Sequence, residues 1–260
     1  MIRERYQAGD GYLYRLDARV KVVLTLLLIV GVMLTPERAW PAYPLLWALL
    51  GSLAVISRLS AWRLTRLGGL ALPFTLAAAA LPFTMPGHPL IALAGLTVSD
   101  TGLARFLSIL LKSWLAVQAA LLLALTTPFT DLLWALASLH LPETLIAIIG
   151  FMYRYLYTLS DEAQRLLRAR ASRSARLPDQ RAGGGLIWRA RSAGGMVGSL
   201  FLRSYERSER VYAAMLSRGY AGRIRSLDPL PLTGKALLDG ALPICVLILI
   251  ESAALLWWAK

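Results

Sequence analysis

The sequence predicts an all-α polytopic membrane protein with about five transmembrane helices and two long cytoplasmic helices. Three observations carry this. Apolar residues make up 57% of the 260 positions, and the mean hydropathy of +0.56 is too high for a water-soluble domain of this length. Those apolar residues gather into five runs that cross, or nearly cross, a bilayer core needing about 20 helical residues. The net charge of +13 is gathered too: between Arg154 and Arg225 stand fifteen arginines against five acidic residues (Asp161, Glu162, Asp179, Glu206, Glu209), which puts +10 in that stretch.

Arg3, Arg5, Arg15, Arg19 and Lys21 lead into the first run, Val20 to Thr35. Some twenty mostly polar residues precede it, so it is expected to remain as an anchor and not to be cleaved as a signal. A short segment, Pro36 to Pro44, holding one Glu and one Arg, connects it to the second run, Tyr43 to Ser57, after which come Arg58, Arg63 and Arg66. Basic residues at those two ends, with a near-neutral connection between them, place the N-terminus in the cytoplasm. The third and fourth runs, Leu67 to Phe83 and Ile109 to Thr126, return the chain to the cytoplasm near Thr127, on the side where the basic stretch belongs. The last run, Ala236 to Trp258, then crosses outward.

Leu145 to Leu159 reads like a further span, but it has only 15 residues and contains Arg154. A crossing there would turn the basic stretch outward. It is therefore expected to lie along or dip into the cytoplasmic interface, with Tyr153, Tyr155 and Tyr157 at headgroup depth and Arg154 snorkelling. Helix-forming residues run without proline from Glu143 to about Arg176 and again from Leu186 to Ser217. Pro178 and the Gly183-Gly184-Gly185 run part them, which predicts two long helices joined by a hairpin. The chain then divides into residues 1–126 with four spans, a cytoplasmic or interfacial module over 127–226, and a final span in 227–260.

The second long helix sets Ala190, Gly194 and Gly198 four residues apart on one face. A tight crossing with another helix, or a small-residue face toward the spanning helices, would use that arrangement. Shifting the basic stretch on itself by 45 residues aligns Gln164-Arg165 with Glu209-Arg210, Ala169 with Ala214, and Ser172-Arg173-Ser174 with Ser217-Arg218-Gly219. Each helix thus ends on an arginine between small residues, whose planar fork can reach into a narrow groove and bind carboxylates or carbonyls. Ala169-Arg170-Ala171 competes with the first motif three residues earlier; the 45-residue offset favours Arg173. The other arginines are read as contacts to anionic headgroups, each worth about 1 kcal/mol.

Several chemistries are excluded. No G-x-x-x-x-G-K-[ST] loop exists: Gly234-Lys235 lacks both the upstream Gly and the following Ser or Thr, and the three glycines at 183–185 follow no strand. His88 and His140 fall in different loops, and Cys245 stands alone as a small buried hydrophobe, so no metal site is expected. Nucleic acid would be drawn to the charge, but no aromatic platform accompanies it. A lipid-phosphate enzyme would need more than Asp161 and Glu162, and a channel or carrier more intramembrane charge than Lys112 and Glu251.

Leu16-Asp17-Ala18-Arg19-Val20-Lys21, Leu125-Thr126-Thr127-Pro128 followed by Leu132-Leu133-Trp134-Ala135-Leu136, Tyr153-Arg154-Tyr155 with Asp161-Glu162-Ala163, and above all Ala214-Met215-Leu216-Ser217-Arg218-Gly219-Tyr220 carry a resemblance. Over nearly its whole length the chain resembles the transmembrane coupling (T) component of energy-coupling-factor transporters, closest to the cobalt-transport CbiQ branch. The resemblance implies two long coupling helices that cross, with an X-Arg-X motif at each tip docking on one of two cytoplasmic ABC-type ATPase subunits. By position the interface residues are Ser172, Arg173, Ser174, Ser217, Arg218 and Gly219, with Arg170 in competition; Ala190, Gly194 and Gly198 form the crossing. It also implies a substrate-binding membrane subunit (the CbiM-like S component) and a small accessory membrane subunit as partners. ATP and Mg would be bound by the ATPases, with no cofactor on this chain. The usual Arg-Gly of the first motif is Arg173-Ser174 here.

Overall fold

The computed structural model describes residues 9, 11–69, 73, 76–86, 89–93, 96–173, 185–222 and 234–258. The chain divides into two compact units, one built on Arg5–Leu139 with Pro229–Lys260 and the other on His140–Asp228.

In the first unit, a single turn of helix α1 (Tyr12–Arg15) leads into α2 (Ala18–Leu34), whose first turn is capped where the Asp17 carboxylate accepts from the Arg19 N–H at 2.8 Å. Helices α3 (Ala42–Ile56) and α4 (Ala61–Gly68) follow, the latter capped by Ser60. Beyond them a 3₁₀ turn, Leu76–Ala80, and the short α5 (Leu81–Thr84) precede a two-stranded antiparallel hairpin, β1 (Pro89–Leu93) with β2 (Leu96–Ser99), in the register Leu93 to Leu96. The long α6 (Asp100–Thr126) is started by the Ser99 hydroxyl accepting from Gly102 N–H at 3.1 Å and by Asp100 in its first turn. The chain continues through α7 (Phe129–Ser138), and after the second unit closes on α10 (Gly234–Trp258).

Four of the five predicted runs coincide with single helices: α2, α3, α6 and α10. The third does not. Among the described residues of Leu67 to Phe83, α4 reaches Gly68, a 3₁₀ turn covers Leu76–Ala80 and α5 begins at Leu81. Among the described residues, Asp100–Thr126 and Ala236–Leu256 have the length and apolarity of full spans, while α2 with 17 residues and α3 with 15 are shorter. The predicted all-α class therefore holds with one small hairpin added. That hairpin has a faint sequence signal: two short apolar stretches of β-favouring residues on either side of Ala94-Gly95.

Helix α2 is the hub, packing against α6, α7 and α10, and α3 packs against α6 and α10. Leu24, Leu28 and Val32 of α2, Leu46, Leu50 and Leu53 of α3, Leu115 and Leu122 of α6, and Leu247 and Ile250 of α10 form one core. The opposite faces are equally apolar but exposed: Leu26, Val30 and Met33 on α2, Leu45 and Trp47 on α3, Ile248 and Leu249 on α10. Helices apolar all round, buried on one side only, are built for lipid on the other. Cys245 belongs to that outer set. It was expected to be buried and is exposed, because α10 turns the Pro243, Leu247, Ile250 and Ala254 face inward.

Lys112 and Glu251 each answer the end of α2. Lys112 Nζ donates to the Met33 carbonyl at 3.1 Å, and Glu251 accepts from the Thr35 hydroxyl at 2.9 Å. A cation on the last carbonyls of a helix is a capping role, not a conduction path. Nearby, Arg105 with Glu37 at 3.1 Å and Arg38 with Asp100 at 3.6 Å are half-exposed pairs worth at most about 1 kcal/mol each.

Candidate functional site

The second unit consists of two 31-residue helices, α8 (Glu143–Arg173) and α9 (Leu186–Leu216). The first begins just after Pro142 with Glu143 in its opening turn and finishes with Arg170 and Arg173 in its last, the charge order the helix dipole favours. The pair runs antiparallel. Near the α8 C-terminus the Arg170 guanidinium stands 5.5 Å from the Trp188 ring centroid, and towards the middle Arg203 donates to Glu162 at 2.8 Å. At the other end Phe151, Tyr155 and Leu159 of α8 face Val211, Tyr212 and Met215 of α9 across a groove of about 430 Å³. Tyr153 and Tyr157, one turn apart, stack edge to face with their hydroxyls 3.1 Å apart.

The two predicted arginine tips are both ends of helices. Arg173 is the last described residue of α8 and is exposed; Ser172 beside it folds its hydroxyl back onto the Ala169 carbonyl at 3.0 Å, leaving the arginine flanked by a compact neighbour. Ser174 lies outside the described residues. At the end of α9 the backbone closes in a Schellman pattern: Gly219 N–H donates to Leu216 O and Tyr220 N–H to Met215 O, each at 3.0 Å. Gly219 takes φ +80°, a left-handed conformation natural to glycine, and Ser217 turns its hydroxyl onto Ala214 O at 2.9 Å. Tyr220 and Met215 also line the same groove, the apolar contact that accompanies this cap. Arg218 is therefore carried on a backbone tied on both sides, with its side chain exposed.

The choice between Arg173 and Arg170 gains a physical basis. Arg170 is partly buried and engaged on the Trp188 ring, whereas Arg173 is exposed one turn further out.

The crossing expected at Ala190, Gly194 and Gly198 is not made within this unit. All three are exposed, and a Cβ at Gly194 or Gly198 would meet nothing within 4 Å among the described residues. The α8 contacts come instead from the faces bearing Trp188, Arg203 and Val211, which leaves the glycine face, with Val197, Phe201 and Tyr205 along it, open. No described residue of helix α9 is buried against α8.

Elsewhere the inventory is short. His88 lies outside the described residues, and His140 sits at φ +66° in the connection after α7. Among the described residues no group of three His, Cys, Asp or Glu side chains is placed to hold a metal. In the sequence, Arg19 and Lys21 count only as orienting charges, Asp17 and Trp134 only as landmarks, and Asp131 between Thr130 and Leu132 is passed over. The available signal was a lysine inside an apolar run.

Residues 11–229 match the family described as cobalt transport protein (CbiQ). The chain is similar to the energy-coupling factor transporter transmembrane protein EcfT of Thermanaerovibrio acidaminovorans, 30% identical over 229 residues that cover 85% of this chain and 83% of the relative. It is also similar to EcfT of Clostridium kluyveri, 28% identical over 275 aligned positions covering 98% and 97%. EcfT of Listeria innocua is 28% identical, with 85% of each chain covered.

Proposed function

The chain belongs to the cobalt transport protein family, the transmembrane T components of energy-coupling-factor transporters, and we propose that within its transporter it passes ATPase motion to a substrate-binding membrane subunit for cobalt uptake. In this reading two ABC-type ATPases hold ATP and Mg, and Arg173 and Arg218 dock one into each. The observation that carries it is the placement of both arginines: each is exposed at the end of one of the two long helices, between small residues. A buried charge-assisted bond from such an arginine is worth about 1.5 to 3 kcal/mol. The open face of α9 suits a membrane subunit of the CbiM-like class, with a small accessory subunit completing the assembly. The transporter would lie in the bacterial cytoplasmic membrane with five crossings of this chain and the N-terminus inside.

The test is co-purification in detergent with the cognate ATPase pair. Arg173→Glu and Arg218→Glu are each expected to weaken ATPase retention and together to lose it, while Arg170→Glu keeps it because that residue's partner is Trp188. Undiminished binding in both of the first two variants would return these arginines to lipid headgroups. Cargo is read separately: uptake of labelled cobalt outcompeted by unlabelled cobalt, and not by nickel or a vitamin, is the expected pattern.

A smaller effect is expected at Gly219. An alanine there must hold φ +80° at a cost of about 1 to 2 kcal/mol. Gly219→Ala should fray the last turn of α9, speeding amide exchange at Gly219 and Tyr220, and weaken ATPase retention several-fold without altering the spanning unit. Unchanged exchange at those two amides would show that the Schellman cap does not hold Arg218 in place.

A further inference from the structure

Lys21 is a cation one turn into a spanning helix, only 5% exposed. Its ammonium donates at 3.2 Å to the carbonyl of Thr126, the last residue of α6 and 105 positions away. The carboxylates of Asp131, on α7, and of Asp17 are near enough to act on its charge. Two residues before it, the Arg19 guanidinium lies 3.8 Å from the centroid of the Trp134 ring, also on α7. Two short stretches, 17–21 and 126–134, are thus joined by an ammonium–carbonyl bond and a cation–π stack, along a line where α2 packs on α7.

Stability alone does not call for this arrangement. A methionine at position 21 would occupy the same space without desolvating a charge, and buried ions are often replaceable by apolar residues at no loss. The same neighbourhood leaves Arg19 Nε and Thr127 Oγ1 buried with no hydrogen-bond partner among the described residues. A junction that keeps ions and unmet polar atoms where apolar packing would serve is organised around placement. What it places is α7, the last element before the chain enters the unit that bears Arg173 and Arg218.

We propose that Lys21, assisted by Arg19, is a positioning residue: it clamps α7 to the first spanning helix so that displacement of the coupling helices is delivered to the spanning unit and not lost in the α6–α7 connection. The transport half of this inference rests on the coupling reading above; the clamp itself does not.

The experiment uses the full transporter reconstituted in liposomes, with Lys21→Met and Lys21→Arg. In Lys21→Met, amide exchange across 129–138 is expected to accelerate about tenfold while that of α3 stays unchanged, as loss of one charge-assisted bond requires. ATPase retention and ATP hydrolysis should persist, and substrate moved per ATP should fall about tenfold for the same reason. Lys21→Arg, which can still reach a carbonyl, should restore both protection and coupling. Unchanged exchange at 129–138 in Lys21→Met overturns the clamp. Faster exchange with an unchanged transport ratio, or loss of the ATPase, overturns its coupling role. If the wild type itself binds no ATPase, the coupling reading fails, and the exchange measurement still decides the clamp.

Discussion

Replacing both helix-end arginines, Arg173→Ala together with Arg218→Ala, is expected to abolish transport while leaving the chain folded in the membrane. Both side chains are exposed at the ends of α8 and α9, and neither takes part in the core of the spanning unit, so truncation removes no internal packing. The cost falls on the interface. Truncating one partner of a buried charged pair costs about 2 to 5 kcal/mol, so two independent sites lose at least about 4 kcal/mol, roughly a thousandfold in affinity. Each single variant should keep partial retention, because the second tip still holds its own ATPase copy. Transport by the reconstituted double variant is the measurement, with ATPase retention on the same preparation. A double variant that transports at the wild-type rate would show that motion reaches the spanning unit by another surface.

The second large effect is expected at Gly11. A Cβ built there would lie 2.4 Å from Ser57 Cα and 2.5 Å from the Ser57 carbonyl carbon and oxygen, all of them backbone atoms that cannot swing aside. The close approach is what lets the start of α1 dock on the end of α3, where Leu13 N–H also donates to the Ser57 hydroxyl at 3.3 Å. Gly11→Leu should therefore force the two segments apart and cost about 1 to 3 kcal/mol or more. In a chain of this size that is a melting midpoint lower by roughly 3 to 10 °C in detergent. Gly51→Leu is the control, since a Cβ at Gly51 meets nothing within 4 Å. A Gly11 variant melting with the wild type would mean that the α1–α3 contact does not limit stability.

The limits of sequence reading show in particular residues. The long helices were legible: Glu143 to about Arg176 and Leu186 to Ser217 were expected, and Glu143–Arg173 and Leu186–Leu216 are described, with 174–176 outside the described residues. Proline and glycine bracket them, and such signals act within a few residues. Arg173 and Arg218 were legible for the same reason: a helix end and two small neighbours are local properties. Cys245 was misplaced because hydrophobicity does not say which side of an apolar helix meets protein and which meets lipid, as both are equally apolar. The hairpin of β1 and β2 escaped because its strands are shorter than any span and carry little periodic signal.

By itself, then, the sequence determined the all-α membrane class, the two long helices and the arginines near their ends, because transfer energies and chain stops are written residue by residue. Only the tertiary structure decided that Arg170 is taken up by Trp188, that the glycine face of α9 is open, and that Lys21 reaches Thr126. Each of these depends on a partner that one-dimensional spacing does not specify. A charge inside an apolar helix demands a compensating group somewhere, and packing alone chooses which of the available carbonyls and carboxylates supplies it.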